Sequence, residues 1–173
     1  MADTPQFLTL KGNRDRTERT ELFVRRVFFG LVILVIVAGA LNFFGQRPKS
    51  SFASASGANL QVFGPTGLRG GLYYEGRFTI VAQQEISKAV LVLDSGWTEQ
   101  MQINTIEPSP VGESSRDGRL ALEFGHVPAG QKLVVWMQFQ VNPTNVGRRS
   151  QDAALYDDKT LLTQVDRTVT IFP

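Results

Sequence analysis

Residues 27–46 read VFFGLVILVIVAGALNFFGQ, twenty positions without a charged side chain. At about 1.5 Å rise per helical residue, such a stretch covers the roughly 30 Å hydrocarbon core of a bilayer. The sequence therefore predicts one membrane-spanning helix, Val27–Gln46, with the lipid bilayer as its first partner. The absence of an ionisable side chain within it argues against a proton or ion path through the membrane.

The charges on the two sides of this span predict its orientation. Six basic residues precede it, whereas only two follow within a similar distance. They are Lys11, Arg14, Arg16, Arg19, Arg25 and Arg26 on one side, and Arg47 and Lys49 on the other. By the positive-inside rule, residues 1–26 form a basic cytoplasmic tail. We thus expect a single-pass protein of the plasma membrane whose C-terminal part is extracytoplasmic.

A cleaved secretory signal is the alternative to a permanent signal anchor. Ala53-Ser54-Ala55 has the small residues of a signal-peptidase site. However, the apolar stretch exceeds the roughly 7–15 residues usual in a signal sequence, and the basic segment before it is also long. The candidate cleavage site lies about eight residues beyond Gly45, far for a peptidase at the membrane face. An uncleaved anchor is favoured, and a mature N-terminus near Ser56 stays the alternative.

Charge and cysteine content limit the classes of partner and chemistry. The twelve acidic and twelve basic residues after the span balance, so the basic excess belongs to the tail. No basic stripe is visible outside, which argues against a nucleic-acid partner. The chain has no cysteine, so its exported part must fold without disulfides and rely on an apolar core.

Residues 47–58 read RPKSSFASASGA and are rich in serine and alanine. This composition predicts a flexible linker with an end-to-end distance of roughly 20 Å. The linker would hold the following domain, residues 59–173, near the membrane.

After the linker, apolar and polar residues alternate in short runs separated by turn residues. The clearest run is KLVVWMQFQV at 132–141, with five apolar side chains on one face. Such runs predict strands at 60–63, 72–82, 89–93, 100–106, 119–124, 132–141, 152–156 and 161–172. Together they predict an all-β domain, an antiparallel immunoglobulin-like β-sandwich of seven or eight strands.

The segment Val127-Pro128-Ala129-Gly130-Gln131, with the strand through Trp136, carries a family resemblance. It resembles the proline-glycine turn and long hydrophobic strand of bacterial single-pass membrane proteins with an immunoglobulin-like extracytoplasmic domain. The resemblance covers residues 60–173 and lacks the Cys-Trp-Cys framework of antibody domains. It implies a binding or spacing role rather than catalysis.

Candidate catalytic groups are few. His126 is the only histidine, and a zinc site needs several nitrogen or sulfur ligands. Ser87 and Lys88 are adjacent, so on a strand they point to opposite faces. No Gly-x-Ser-x-Gly elbow occurs. We predict no catalytic, cofactor-binding or metal-binding residues, no cofactor and no small-molecule substrate, and hence a protein that is not an enzyme.

Two regions are candidates for partner binding. Trp97 follows the turn Ser95-Gly96 and precedes a polar run, and an exposed aromatic residue there would be a binding hot spot. A partly buried strand end is the alternative. Trp136, in mid-strand, is expected to pack in the sandwich or under its edge.

The loop 142–151 is the second region. Asn142, Arg148 and Arg149 are its candidate contacts, because arginine pairs with carboxylates and lipid phosphates. Solvated arginines that keep the domain soluble are the alternative.

These observations favour a membrane-anchored, non-catalytic accessory protein that presents its β-sandwich to another membrane or envelope protein. The alternative is a ligand-binding module for envelope carbohydrate or lipid headgroups.

Overall fold

The computed structural model describes residues 11–41, 43 and 46–173, with side chains from residue 19 onward. The chain divides into two compact units at residues 44 and 45. Residues 1–10 of the predicted tail, and residues 42, 44 and 45 of the predicted span, lie outside the described residues.

The first unit contains helix α1, Lys11–Ala40. Within it, the 22 residues Arg19–Ala40 are long and apolar enough to cross a membrane, a property that a signal sequence near an N-terminus shares. The helix begins well before the predicted span and ends before Gln46. It extends toward the N-terminus because residues 11–26 are rich in the helix formers arginine and glutamate and contain no proline.

The second unit is built of strands, thirteen within residues 46–173. They are β1 (Pro48–Ser54), β2 (Ala58–Pro65), β3 (Gly67–Arg69), β4 (Tyr73–Ala82), β5 (Ile86–Leu93), β6 (Met101–Glu107), β7 (Gly112–Arg116), β8 (Arg119–Val127), β9 (Lys132–Val141), β10 (Gly147–Ser150), β11 (Ala153–Asp157), β12 (Thr160–Val165) and β13 (Thr168–Phe172). A 3-10 helix, Ser95–Trp97, separates β5 from β6.

The strands form three sheets. Sheet 1 has the order β1-β2-β4-β9-β6, and sheet 2 has the order β12-β11-β5-β8-β7. Sheet 3 is the small sheet β10-β13-β3, in which β13 and β3 are parallel. The pairs within sheets 1 and 2 are antiparallel.

One apolar cluster lies between sheets 1 and 2 and confirms the predicted immunoglobulin-like β-sandwich. It takes Phe78 and Phe139 from sheet 1, and Leu91 and Leu155 from sheet 2, all fully buried. The alternation predicted for β9 is present, since its inward residues from Val135 to Val141 are buried and its outward residues are exposed or half-buried. A sheet whose other face meets solvent requires this period of two.

Three differences from the predicted strands are notable. The predicted flexible linker, residues 47–58, contains β1, which pairs with β2 from Pro48↔Pro65 to Ser54↔Asn59. The predicted strand 161–172 is interrupted at residues 166–167 and becomes β12 and β13. The strands β3, β7 and β10 were not predicted. β3 and β10 have only three and four residues, and β7 is mostly exposed, so none carries a long run of alternating apolar residues.

Candidate functional site

Trp97 is not a surface residue, contrary to the predicted role in partner binding. Its side chain is 0% exposed, and its ring lies 5.1 Å from the ring of Phe78 and 5.2 Å from that of Phe139. Its indole nitrogen donates a hydrogen bond to the Asp152 carbonyl at 3.2 Å. The 3-10 turn points the indole into the core, where it packs as a large apolar side chain with its one donor satisfied.

The other residues predicted to contact a partner do not form one surface with Trp97. Asn142 is exposed, and its Oδ1 accepts hydrogen bonds from the backbone N–H (3.1 Å) and the hydroxyl (3.0 Å) of Thr144, so the side chain stabilises a turn. Arg148 and Arg149 are neighbours on β10, so their side chains leave the strand on opposite faces. Arg148 is exposed and Arg149 half-buried. Partner binding by these three residues stays a prediction.

The groups considered for catalysis make ordinary contacts. His126 Nε2 lies 3.0 Å from Glu85 Oε1 on the surface. Lys88 Nζ lies 2.9 Å from Glu123, and this hydrogen bond raises the pKa of Lys88. Among the described residues, no cluster of three or more His, Cys, Asp or Glu side chains is placed to hold a metal ion.

Sequence reasoning missed an aromatic row on the outer face of sheet 1. Phe63 on β2, Arg77 on β4 and Trp136 on β9 are direct cross-strand neighbours. The Arg77 guanidinium carbon lies 4.7 Å from the Phe63 ring centroid and 5.0 Å from the Trp136 ring centroid. Trp136 is 39% exposed on the outer face, so of the two predicted placements, in the sandwich or under its edge, the first is wrong. The available signal was its outward phase between the inward residues Val135 and Met137.

The aromatic row holds Arg77 in place. A cation over an aromatic face is attracted by the ring quadrupole, and two rings restrict one guanidinium more than a single ring does. Within the described part of the chain, Arg77 makes no ion pair or hydrogen bond from its side chain. Its planar set of N–H donors is therefore ordered but open to an external acceptor.

Amide side chains lie beside the aromatic row on the same face. Tyr73, Gln140 and Gln102 form one cross-strand row, and Gln138 pairs with Glu75 between that row and Arg77. Among residues 46–173, Gln102, Gln138 and Gln140 make no hydrogen bond from their side chains. Each amide offers both donors and an acceptor. Tyr73 is 56% exposed, which adds an accessible ring.

Two shallow depressions lie on this face, one toward each end of the strands. The first, of about 310 Å³, lies around residues 100–102 and 140–143. The second, of about 360 Å³, has Phe52, Asn59 and Gln61 in its lining. Phe52 is 76% exposed at the edge strand. The aromatic row lies between the two depressions, so the face offers a continuous, shallow surface rather than one deep pocket.

The charges on the outward positions of sheet 1 balance. Within the described strands these positions carry Arg77 and Lys132 as cations, and Glu75 and Glu107 as anions. We call the outer surface of sheet 1, from Phe52 to Gln102, the aromatic-amide face. Its middle contains aromatic rings, amides and one ordered guanidinium.

A buried polar network joins Tyr74, on the inner side of β4, to Gln151 and Arg167 in two connections between strands. Gln151 Nε2 donates to the Tyr74 hydroxyl at 3.0 Å, and Arg167 Nη1 donates to Gln151 Oε1 at 3.4 Å. Burial raises the pKa of the Tyr74 hydroxyl well above its ordinary value and lowers the pKa of Arg167. The network lies inside the domain, where an external ligand does not reach it, so we assign it a structural role.

Comparisons with known proteins give no family for the chain. No protein-family model matches the chain, and no curated protein does. Solved structures that match include the C-terminal domain of wzt, with 15% identity, a TM-score of 0.42, and coverage of 75% of this chain and 81% of that one. CaCohA2 from Clostridium acetobutylicum matches with 13% identity, a TM-score of 0.41, and coverage of 68% and 92%.

A non-cellulosomal cohesin from the hyperthermophilic archaeon Archaeoglobus fulgidus also matches, with 11% identity, a TM-score of 0.40, and coverage of 72% and 92%. At these identities and TM-scores the likeness supports no assignment of function.

Proposed function

We propose that this chain is a membrane-anchored, non-catalytic binding protein that displays the aromatic-amide face outside the plasma membrane. The apolar segment Arg19–Ala40 supports the anchor, and the excess of basic residues before it supports a cytoplasmic N-terminus. The observation that carries the binding role is Arg77, an ordered guanidinium without an internal acceptor on an exposed sheet.

Binding is favoured because little side-chain entropy would be lost when a partner associates with this face. Association loses free energy when flexible side chains become fixed, about 0.5–1.5 kcal/mol for each long side chain. Arg77 is already held by Phe63 and Trp136, so its ordering has been completed during folding. Tryptophan, tyrosine and arginine are also the residue types enriched at binding hot spots. The partner expected from the sequence, an envelope or membrane protein, would contact this face instead of Trp97.

Site-specific photo-crosslinking in living cells tests the binding role. A photoreactive amino acid replaces Trp136 or Phe52 on the face, and Val111 on another surface serves as the matched control because its side chain is 71% exposed. We expect discrete crosslinked species from the two face positions and none above background from Val111. Equal crosslinking from all three positions would show that the face has no special role.

Single-cysteine labelling tests the orientation, and the absence of native cysteine makes the experiment clean. Ala129→Cys lies in an exposed turn of the β unit, and Ala2→Cys lies in the tail. A membrane-impermeant maleimide should label Ala129→Cys in intact spheroplasts and Ala2→Cys only after lysis. The reverse pattern would place the domain in the cytoplasm and remove the proposal.

The second candidate function is the recognition of envelope carbohydrate. The unpaired amides Gln102, Gln138 and Gln140 favour it, because a surface built for a protein partner would have a more continuous apolar centre. This candidate uses the same face and the same anchor.

A further inference from the structure

On the basis of the proposed binding role and its second candidate, carbohydrate recognition, we infer that the aromatic-amide face binds a neutral glycan laid across the strands of sheet 1. The ligand class follows from four features of the face: its rings, its open guanidinium, its unpaired amides and its balanced charge. The first three features match different parts of a sugar, and the fourth selects an uncharged one.

The aromatic rings match the apolar faces of pyranose rings. A sugar ring presents C–H groups on one or both faces, and an aromatic ring has a negative face that attracts them. Tyr73, Trp136 and Phe52 are 56%, 39% and 76% exposed, and they are distributed along the face instead of forming one patch. Separated rings match the repeating units of a polymer better than they match a single compact apolar group.

Arg77 matches a pair of neighbouring sugar oxygens. Its guanidinium has donors in a fixed fork, which can bond two adjacent acceptors at once. Phe63 and Trp136 keep this fork in one place through contacts of 4.7 and 5.0 Å. The site therefore has a directional donor at its centre, with rings on both sides.

The amides match sugar hydroxyls, which both donate and accept hydrogen bonds. Gln140 and Gln102 are side by side across β9 and β6, next to the depression of about 310 Å³. Gln138 lies between this pair and Arg77. A polymer that crosses the aromatic row would meet these amides without leaving the face.

The charge balance selects against anionic ligands. Glu75 and Glu107 flank the aromatic row on β4 and β6, and they offset Arg77 and Lys132. A polyanion or an anionic lipid surface is bound most strongly by an excess of basic groups, since Lys and Arg supply the long-range attraction to phosphates. A neutral polyol has no such requirement.

The test uses the full-length chain in phosphatidylcholine nanodiscs, since alkyl-glycoside detergents would compete for the face. Binding is measured to immobilised dextran, mannan, arabinogalactan and xyloglucan. It is also measured to the neutral glycan fraction, freed of charged polymers by anion exchange, from the envelope of cells that carry the chain. Alginate is the acidic arm, and anionic vesicles are the lipid arm.

We expect saturable binding to at least one neutral polymer and no measurable effect of added salt. Trp136→Ala and Arg77→Ala should each weaken it about tenfold or more, as removal of a hot-spot residue does. Gln138→Ala should weaken it several-fold without touching the aromatic row. Val111→Ala should bind as the parent chain does, and near-ultraviolet circular dichroism confirms that each variant is folded.

Three results would overturn the inference: no binding to any neutral polymer, equal binding by Trp136→Ala and the parent, or binding to alginate or anionic vesicles alone. Its failure is separable from that of the proposed function. If photo-crosslinks from position 136 to a protein persist while neutral glycans do not bind, the binding face stands and the glycan is replaced by a protein partner.

Discussion

Arg167 lies over Trp97, with its guanidinium carbon 5.4 Å from the indole ring. The arginine is only 4% exposed, yet no ion pair to it occurs within the described residues. Its Nη2 donates instead to the Gly64 carbonyl at 2.6 Å and to the carbonyl of Pro65. A buried cation is thus balanced by backbone dipoles and an aromatic face, and the connection between β12 and β13 is fixed to the end of β2.

Replacement of Arg167 tests this arrangement. Arg167→Met keeps much of the volume but leaves two buried carbonyls without their donor, so the free energy of unfolding should fall by about 3 kcal/mol. Urea unfolding followed by circular dichroism measures the change. Arg148→Met, on the exposed side of β10, is the matched control and should change stability by no more than about 0.5 kcal/mol. If Arg167→Met is as stable as the parent, the free-energy cost of burying the cation equals the stabilisation from its hydrogen bonds.

Tyr74 makes the domain sensitive to alkaline pH. Burial raises the pKa of its hydroxyl in the folded state, whereas in the unfolded chain it titrates near 10. The contribution of the neutral Tyr74 hydroxyl to the free energy of unfolding is therefore fully present below pH 10. Above that pH only the unfolded chain loses the proton, and the free energy of unfolding falls by up to about 1.4 kcal/mol per pH unit.

The measurement is urea unfolding between pH 8 and 11 of the parent chain, Tyr74→Phe and Tyr73→Phe. Tyr74→Phe should flatten the alkaline decline and cost about 1 kcal/mol at pH 8, where Gln151 loses an acceptor. Tyr73→Phe, on the exposed face, should keep the parent slope. The lowered pKa of Arg167 acts in the opposite sense, and because the charge of Tyr74 is one of its causes, that contribution is matched between the parent and Tyr73→Phe but not in Tyr74→Phe. Parallel profiles for all three would contradict the assignment.

Gly96 allows the 3-10 helix to approach β10. A Cβ atom there would lie 1.9 Å from the Ser150 carbonyl oxygen, which is backbone and cannot rotate away. Gly96→Ala should therefore lower the free energy of unfolding by about 3 kcal/mol or more. Gly112→Ala is the matched control, because a Cβ there meets Glu123 side-chain atoms at 3.5 Å, an ordinary contact. Thermal unfolding midpoints separate the two, and equal midpoints would mean that β10 moves freely.

The sequence predicted strands that alternate, such as β9, and also strands such as β5 that form a continuous apolar run buried on both faces. In β9, inward apolar residues alternate strictly with outward residues, so the two-residue period of the sequence agrees with the burial of the side chains. The outward phase of Trp136 was visible in the same pattern. Residue type alone favours burial of a large aromatic side chain, but position in the alternation decides which face of the sheet it occupies.

The aromatic row could not be predicted from local sequence. Its members come from three strands, and Phe63 is 73 positions from Trp136, so only the register of sheet 1 brings them together. The burial of Trp97 likewise depends on a distant contact, the approach of Gly96 to Ser150. Residue type indicated possible hot spots, but pairing of remote strands decided which side chains were exposed.

Strand β1 provides the last prediction, because it occupies residues expected to be a flexible linker. It is paired with β2 over seven positions, and Ala53 packs against the core. Loss of β1 would expose the hydrogen-bonding edge of β2. The free energy of unfolding, measured with urea, should therefore be roughly 2–4 kcal/mol lower for a fragment 56–173 than for a fragment 46–173. Phe52→Ala in the longer fragment is the control and should have little effect, since that side chain is exposed. Cleavage at Ala53-Ser54-Ala55 would remove this strand. A large difference in stability between the fragments therefore favours a permanent anchor. Equal stability would instead be compatible with a mature protein that begins near Ser56.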